Sequence, residues 1–287
     1  MNNNLVSRRT IVKGSFLGLL AASVPCSLYA TPNVVAPNPS PLLSQPGGSY
    51  PHIEPELVME VVGASHFNFA RVKELVDKRP ELAKATWDWR YGDFESAIGA
   101  SSHVGHRDLA KYLVSKGARP TIFTFAMMGA YDVVKAMIEF NPGIQRTTGP
   151  HGISLLRHAQ AGDRMKESMT QKEKDNLKRL QDYLEELGDA DGEKYIDVSP
   201  EEQKKYLGDY KYGDGEKDGF SIQLNMQKLL SLGPIGDFGG SIYKIAEHQF
   251  TYNGAPSVTI SFNAEEGQIM SLTVTDPDRS ITARKVH

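Results

Sequence analysis

The chain has 287 residues, 40% of them hydrophobic and 23% charged, with 32 Lys and Arg against 35 Asp and Glu for a net charge of −3. This composition excludes a wholly disordered chain, a collagen-like fibre and a multi-span membrane protein, and the near-balanced charge gives no general attraction to nucleic acid or anionic lipid. One cysteine, Cys26, rules out an intramolecular disulfide and zinc sites of the finger type.

Residues 1–30 read as a signal peptide. A polar start is followed by Ser7-Arg8-Arg9-Thr10-Ile11-Val12-Lys13, an apolar run from Gly14 to Val24, and a small-residue exit at Ala30. The apolar run is too short for a spanning helix, which needs ~20 residues. The arginine pair Arg8 and Arg9, between Ser7 and Lys13, resembles the twin-arginine export signal, although Ile11 and Val12 stand where that pattern usually has Phe and Leu. The resemblance implies a periplasmic or secreted protein. Cleavage near Ala30 would leave a mature chain without cysteine, compatible with an oxidising compartment.

Residues 31–50 hold five prolines, Gly47 and Gly48, and no charge, which predicts a stiff, extended linker. Residues 51–188 then carry 19 basic and 19 acidic side chains, whereas residues 189–287 carry 10 and 16. The shift falls at Gly188-Asp189-Ala190-Asp191-Gly192. Residues 189–199 are therefore read as a polar linker crossed by few contacts, between a domain at 51–188 and another at 200–287.

The first domain repeats itself. In the clearest copy a helix at Ser96–His103 ends at Gly105-His106, and a second helix, Arg107–Lys116, ends at Gly117-Ala118, with Leu109, Leu113 and Val114 on one face. Further copies run through Phe125–Ile138, through Val61–Val76, and from Gly152 to Gly162-Asp163. The last has its second helix displaced to Asp175–Leu187 by a polar insertion at Arg164–Lys174. The Gly-His turn and Gly-Ala ending, twelve residues apart, resemble the ankyrin repeat. The resemblance covers about 135 residues and implies a stack of helix pairs, each burying its face against its neighbours. The 24-residue step from Gly105 to Gly129 and the lack of a Thr-Pro-Leu-His opening imply that some fingers between pairs are truncated. A generic stack of helical hairpins is the alternative.

The second domain alternates in the strand manner. Tyr206–Tyr212, Phe220–Leu224, Leu229–Leu232, Ser241–Ala246, Gln249–Tyr252, Val258–Phe262 and Leu272–Val274 are strand candidates, with turns at Asn253-Gly254 and Glu265-Glu266-Gly267. Six to eight short strands in about 85 residues predict an antiparallel barrel or sandwich. The fold class is thus α+β, a helical repeat stack followed by a small β domain. The Leu207-Gly208-Asp209-Tyr210 opening and the Val258–Leu272 pattern resemble the accessory β domain of secreted β-lactamase-like hydrolases, which implies a lipocalin-like accessory role.

Catalytic constellations are not legible, and no catalytic residue is assigned. No Gly-x-Ser-x-Gly elbow occurs, and the glycines around Gly233-Pro234-Ile235-Gly236 carry a proline where a phosphate loop needs an amide donor. His103 and His106 flank an inter-helix turn, where His106 is read as a cap. Asp189, Asp191 and Asp197 are too few for a calcium loop. No metal and no cofactor are expected. One segment stands out: Trp87-Asp88-Trp89-Arg90-Tyr91 holds both tryptophans of the chain between the first two repeats. The ankyrin resemblance implies a projecting finger there, and Trp, Tyr and Arg dominate binding energy at interfaces. Trp87, Trp89, Arg90 and Tyr91 are the candidate partner site, with a lid on the neighbouring repeat as the equal alternative. In an extended finger both Trp rings share one side and Arg90 the other. The expected function is a non-enzymatic exported scaffold for another protein, such as an enzyme it inhibits, protects or helps to mature. The alternative is carriage of a small apolar ligand in the β domain, in a cavity lined by Phe220, Leu224, Phe250 and Phe262.

Overall fold

The structure, a computed structural model, describes residues 50–286, which belong to one compact unit, Gly47–His287. The signal-peptide segment with Arg8, Arg9 and Cys26, and nearly all of the Pro-rich segment, lie outside the described residues.

Four helix pairs occupy the first half. They are α1 (Pro55–Ala64) with α2 (Phe69–Lys78), α3 (Ala97–His103) with α4 (Arg107–Ser115), α5 (Ile122–Met127) with α6 (Tyr131–Phe140), and α7 (Leu155–Ala161) with α8 (Gln171–Leu187). The starts are set by side chains that accept otherwise unpaired backbone N–H groups: Asn68 for α2, Ser96 for α3, His106 for α4, Ser154 for α7, and a full capping box of Thr170 and Glu173 for α8. The first helices of the pairs stack in series, α1 on α3, α3 on α5 and α5 on α7. Val61, Val72, Ile98, Leu109 and Leu113 form one core, and Ile122, Val134, Leu155, Leu180 and Leu184 continue it into the later pairs.

The turn glycines serve this stacking twice. Gly105 and Gly129 have φ of +75° and +69°, a region that side chains with a Cβ rarely enter. A Cβ at Gly105 would also lie 2.0 Å from the Ala161 carbonyl oxygen, and one at Gly129 2.9 Å from Leu177 Cα. The backbone of a later pair therefore closes directly over each turn. A short hairpin, β1 (Thr86–Asp88) with β2 (Phe94–Ser96), projects between the first two pairs, with Trp87 opposite Glu95.

The second half is a closed antiparallel barrel; the sandwich alternative is not what forms. Helix α9 (Pro200–Tyr206) leads into β3 (Gly208–Lys211), β4 (Gly219–Leu224), β5 (Leu230–Pro234), β6 (Gly240–Ala246), β7 (Gln249–Tyr252), β8 (Ala255–Glu265), β9 (Gln268–Asp276) and β10 (Arg279–Lys285). Each strand pairs with the next, and β10 pairs back onto β3 through Arg284 with Lys211 and Lys285 with Tyr210. Closure leaves no strand edge to be protected. Val258, Ile260 and Phe262 alternate into the interior, as a period of two requires. Eight strands enclose a bore just wide enough for side chains, and here it is filled. Tyr206, Phe250 and Phe262 pack with ring centroids 4.6 to 5.5 Å apart. Of the four residues expected to line a ligand cavity, Phe220, Phe250 and Phe262 belong to this core, while Leu224, at the end of β4, is exposed.

The polar segment between the halves is tied on both sides. Asp189 accepts hydrogen bonds from Gln145 and Arg146, Asp191 from Ser154 and Arg157, and Ile196 forms a β-bridge to Lys244 of the barrel. These contacts exceed the few expected of a free linker, because the carboxylates that make it polar meet donors on the turn after α6 and at the start of α7.

Candidate metal centre

Four side chains from distant positions converge beneath the β1–β2 hairpin: His66, Glu95, His103 and His151. Each arrives for a local reason. His66 sits in the α1–α2 turn, and its Nδ1 donates to the Gly63 carbonyl at 3.0 Å, which turns Nε2 inward. Glu95 is the middle residue of β2 and faces the same side as Trp87. His103 is the last residue of α3, whose other face is buried. His151 lies in a one-turn 3-10 segment, Pro150–Gly152, with φ of +59°.

The carboxylate of Glu95 is fully buried and sits amid three imidazoles. Oε1 is 2.9 Å from His103 Nε2 and 3.4 Å from His151 Nε2, and Oε2 is 3.4 Å from His66 Nε2. Oε2 also accepts from Trp89 Nε1 at 2.7 Å. Oε1 and His103 Nε2 remain buried atoms that no hydrogen bond satisfies, despite their short separation. Candidate donor atoms of all four residues lie within 4.8 Å of one another. A tetrahedron of Zn–N and Zn–O bonds of ~2.0–2.1 Å has edges of about 3.3 Å, so the widest-spaced donors must close by up to about 1.5 Å to reach ligating distance.

The electrostatics follow from this packing. Burial alone would raise the Glu95 carboxyl, but the imidazoles of His103 and His151 beside it hold it well below the usual carboxylate range. Burial pushes His103 below the ordinary imidazole value against the pull of Glu95. Burial opposes the charged form of His151 too, yet the hydrogen bond to Asp93 and the adjacent Glu95 carboxylate raise it to about 10. Asp93 accepts twice from that residue, from its backbone N–H at 2.8 Å and its Nδ1 at 2.7 Å. A fourth imidazole, His158, lies one ring further out, 6.5 Å between centroids from His103. Its Nδ1 donates to the Ser154 carbonyl, its Nε2 has no partner, and burial lowers it to about 4.

Three imidazole nitrogens and one carboxylate suit a zinc-type divalent ion once the imidazoles are deprotonated; calcium and magnesium prefer oxygen shells. Two of the histidines have their Nδ1 engaged, by a backbone carbonyl and by a carboxylate, the usual way a ligating imidazole is oriented.

The finger residues surround this centre. Trp87 and Trp89 both pack on the core of the first helix pairs, and Trp89 lies 6.4 Å from the His66 ring. Arg90 and Tyr91 point to the other side: Arg90 pairs with Asp237 at 2.6 Å, and the Tyr91 ring meets Tyr252 of the barrel at 4.9 Å. Strict alternation would place Tyr91 with the two tryptophans, but its left-handed φ of +57° turns it away from them. All four side chains are engaged within the molecule. His106 caps α4 as expected, whereas His103, set aside with it, turns inward. His66, Glu95 and His151 carry no sequence signal of their own, because the successive spacings of 29, 8 and 48 residues along His66, Glu95, His103 and His151 match no local ligand pattern. Asp189 and Asp191 are occupied as described. Ser241 and Lys244 stand at Ser-x-x-Lys spacing but do not meet: Ser241 accepts from Asn225, and Lys244 binds Glu202.

No family model matches the chain, and no curated protein is detectably similar to it. Fold and site together define a stack of helix pairs joined to a closed eight-stranded antiparallel barrel, with a buried carboxylate–imidazole cluster in the stack.

Proposed function

We propose that this protein binds one divalent transition-metal ion of zinc type through His66, Glu95, His103 and His151, and that the ion is structural. The observation that carries the proposal is the fully buried Glu95 carboxylate ringed by three imidazole nitrogens, with Oε1 and His103 Nε2 unsatisfied. A buried charge is expensive unless it is paired or coordinates an ion. Four protein donors would close the coordination sphere, as structural zinc sites do, whereas catalytic sites keep a position open. The reading is therefore of a non-enzymatic protein. In the metal-free state His151 holds a proton at neutral pH, so an entering ion must displace it.

Titration of chelator-stripped protein with Zn2+ tests this by calorimetry. The expected result is one ion per chain, with affinity rising as pH rises from 6.5 towards 10 and protons released on binding. Glu95→Gln is expected to weaken binding at least ~100-fold, since loss of even an outer-sphere partner costs 10- to 100-fold. Absence of stoichiometric binding in the wild type would leave the cluster as a buried ion-pair network and refute the proposal.

The second reading is an exported scaffold for another protein, with Arg8 and Arg9 as its export signal and its helix pairs forming an ankyrin-like stack. Support comes from the serial stacking of the pairs and from exposed Phe67 and Phe94, each adjacent in sequence to a member of the buried cluster, His66 and Glu95, and 81% and 65% accessible. Co-purification of a defined periplasmic protein that is lost with Phe94→Ser, at unchanged melting temperature, would support it. Normal export after Arg8 and Arg9 are changed to Lys would contradict the twin-arginine route. The ligand-carrier alternative shifts from the filled bore to the barrel mouth, where a cavity of about 590 Å3 lies between Tyr91, Tyr212, Phe220, Val258 and Arg279.

A further inference from the structure

The ligand set belongs to the helix stack, yet one ligand is held in place from the barrel. His151 is fixed by Asp93, which accepts from both its backbone and its ring. Asp93 is itself buried, 5% accessible, and closes the β1–β2 hairpin, its carbonyl accepting from Trp89 N at 3.1 Å. On its far side stands the β7–β8 turn of the barrel, Asn253-Gly254. A Cβ on Gly254 would lie 2.6 Å from Asp93 Oδ1, and one on Gly152 would lie 2.6 Å from Asn253 Oδ1 and 3.2 Å from Gly254 N. The two loops meet at a distance that only glycine permits. Between them His151 adopts a left-handed φ of +59°, a conformation that a non-glycine residue keeps only where its surroundings over-determine it.

We infer that the Asn253-Gly254 turn of the barrel is a positioning element of the metal centre, pressing Asp93 against His151 so that ion binding and barrel docking stabilise one another. The inference rests on the metal-binding reading above. Orienting partners of ligating histidines are worth 10- to 100-fold in metal affinity, and coupling between two such sites is reciprocal. The turn supplies no ligand. It sets the position of the carboxylate that sets the imidazole.

The test compares two alanine substitutions in the full chain. Gly254→Ala and Gly267→Ala both place a Cβ at positive φ in a barrel turn, +74° and +81°, but the second meets nothing within 4 Å. Zn2+ affinity is read by competition with a chromophoric chelator, and coordination geometry by the visible d–d bands of bound Co2+. Gly254→Ala is expected to weaken Zn2+ about tenfold or more and to alter the Co2+ bands, whereas Gly267→Ala stays within about twofold with an unchanged spectrum. A Gly254→Ala protein with wild-type affinity and spectrum overturns the inference and leaves the metal site standing. A wild type that binds no Zn2+ overturns both. Should Gly254→Ala fail to fold, the reciprocal effect decides. Zn2+ must then slow amide hydrogen exchange in β7 and β8 of the wild type, strands that hold no ligand, and unchanged exchange there overturns the coupling.

Discussion

The barrel and the helix stack bury different chemistry. The barrel interior is aromatic and aliphatic, and its buried polar residues are small hydroxyls: Ser221, Ser231, Ser241 and Thr251. The stack buries Asp93, Glu95, Arg107 and His158. Arg107 is accounted for by the carbonyls of Met127 and Met128, which it joins across successive helix pairs. Glu95 and the imidazoles around it are not accounted for by packing. Hydroxyls can be satisfied cheaply by neighbouring backbone groups, but a buried carboxylate must be compensated by charge. The comparison therefore sets the buried ionisable groups in the stack and an apolar core with only hydroxyl polar groups in the barrel.

Phe250→Ala should break the barrel side of this contrast most severely. The ring is fully buried among Tyr206 and Phe262, and its loss is expected to cost ~4 kcal/mol by denaturant unfolding. A loss below ~1 kcal/mol would show that the bore is looser than its packing implies.

Acid should weaken the stack through His158. Its folded value, about 4, lies below the ordinary 6.5, so its contribution is complete above pH 6.5 and is lost as pH falls from 6.5 through 4. Complete loss amounts to something on the order of 3 kcal/mol. His158→Leu should flatten the stability–pH curve in that window, measured by urea unfolding of metal-free protein. An unchanged slope would count against a buried neutral imidazole.

Trp89→Ala separates the finger's internal role from an external one. The indole donates to Glu95 and lies over Gly63, whose added Cβ would stand 3.5 Å from Trp89 Cη2. A half-buried ring with a buried hydrogen bond predicts a stability loss of ~2–3 kcal/mol. Unchanged stability would return Trp89 to the candidate partner surface. The smallest effect belongs to Arg90→Ala. Its ion pair with Asp237 is 29% and 59% accessible, and exposed pairs contribute ~0.2–1 kcal/mol. A larger loss would mean that this contact carries much of the docking between stack and barrel.

Much of the architecture was legible because it is written in short-range patterns. The helix pairs announce themselves by turn glycines and by the capping residue His106, and seven of the eight barrel strands by short apolar runs between turn signals, with alternation in Phe220–Leu224, Val258–Phe262 and Leu272–Val274. The eighth, Arg279–Lys285, gives a weak signal because its outward face is Ser280, Thr282 and Arg284 and its inward face carries only Ile281 and Ala283 between the charged ends Arg279 and Lys285. The Trp87–Tyr91 segment was found by composition, but not the use made of it. The start of α1 is marked only by Pro55 at its first position, which favours a helix there.

What the amino-acid sequence determined by itself was therefore local: where helices begin and stop, which faces are apolar, and that strands follow helices. Periodicity and turn chemistry act over a few residues, and so they can be read from neighbours. Tertiary structure decided the rest. Closure of β10 onto β3 joins residues more than 70 positions apart, and pairing edge to edge depends on barrel twist rather than on either strand. The convergence of His66, Glu95, His103 and His151 spans 85 positions, and each of these residues alone is an ordinary turn, strand or helix-end residue. Only the stacking of helix pairs, which removes water from their seam, turns a glutamate in a three-residue strand into a buried anion facing three imidazoles.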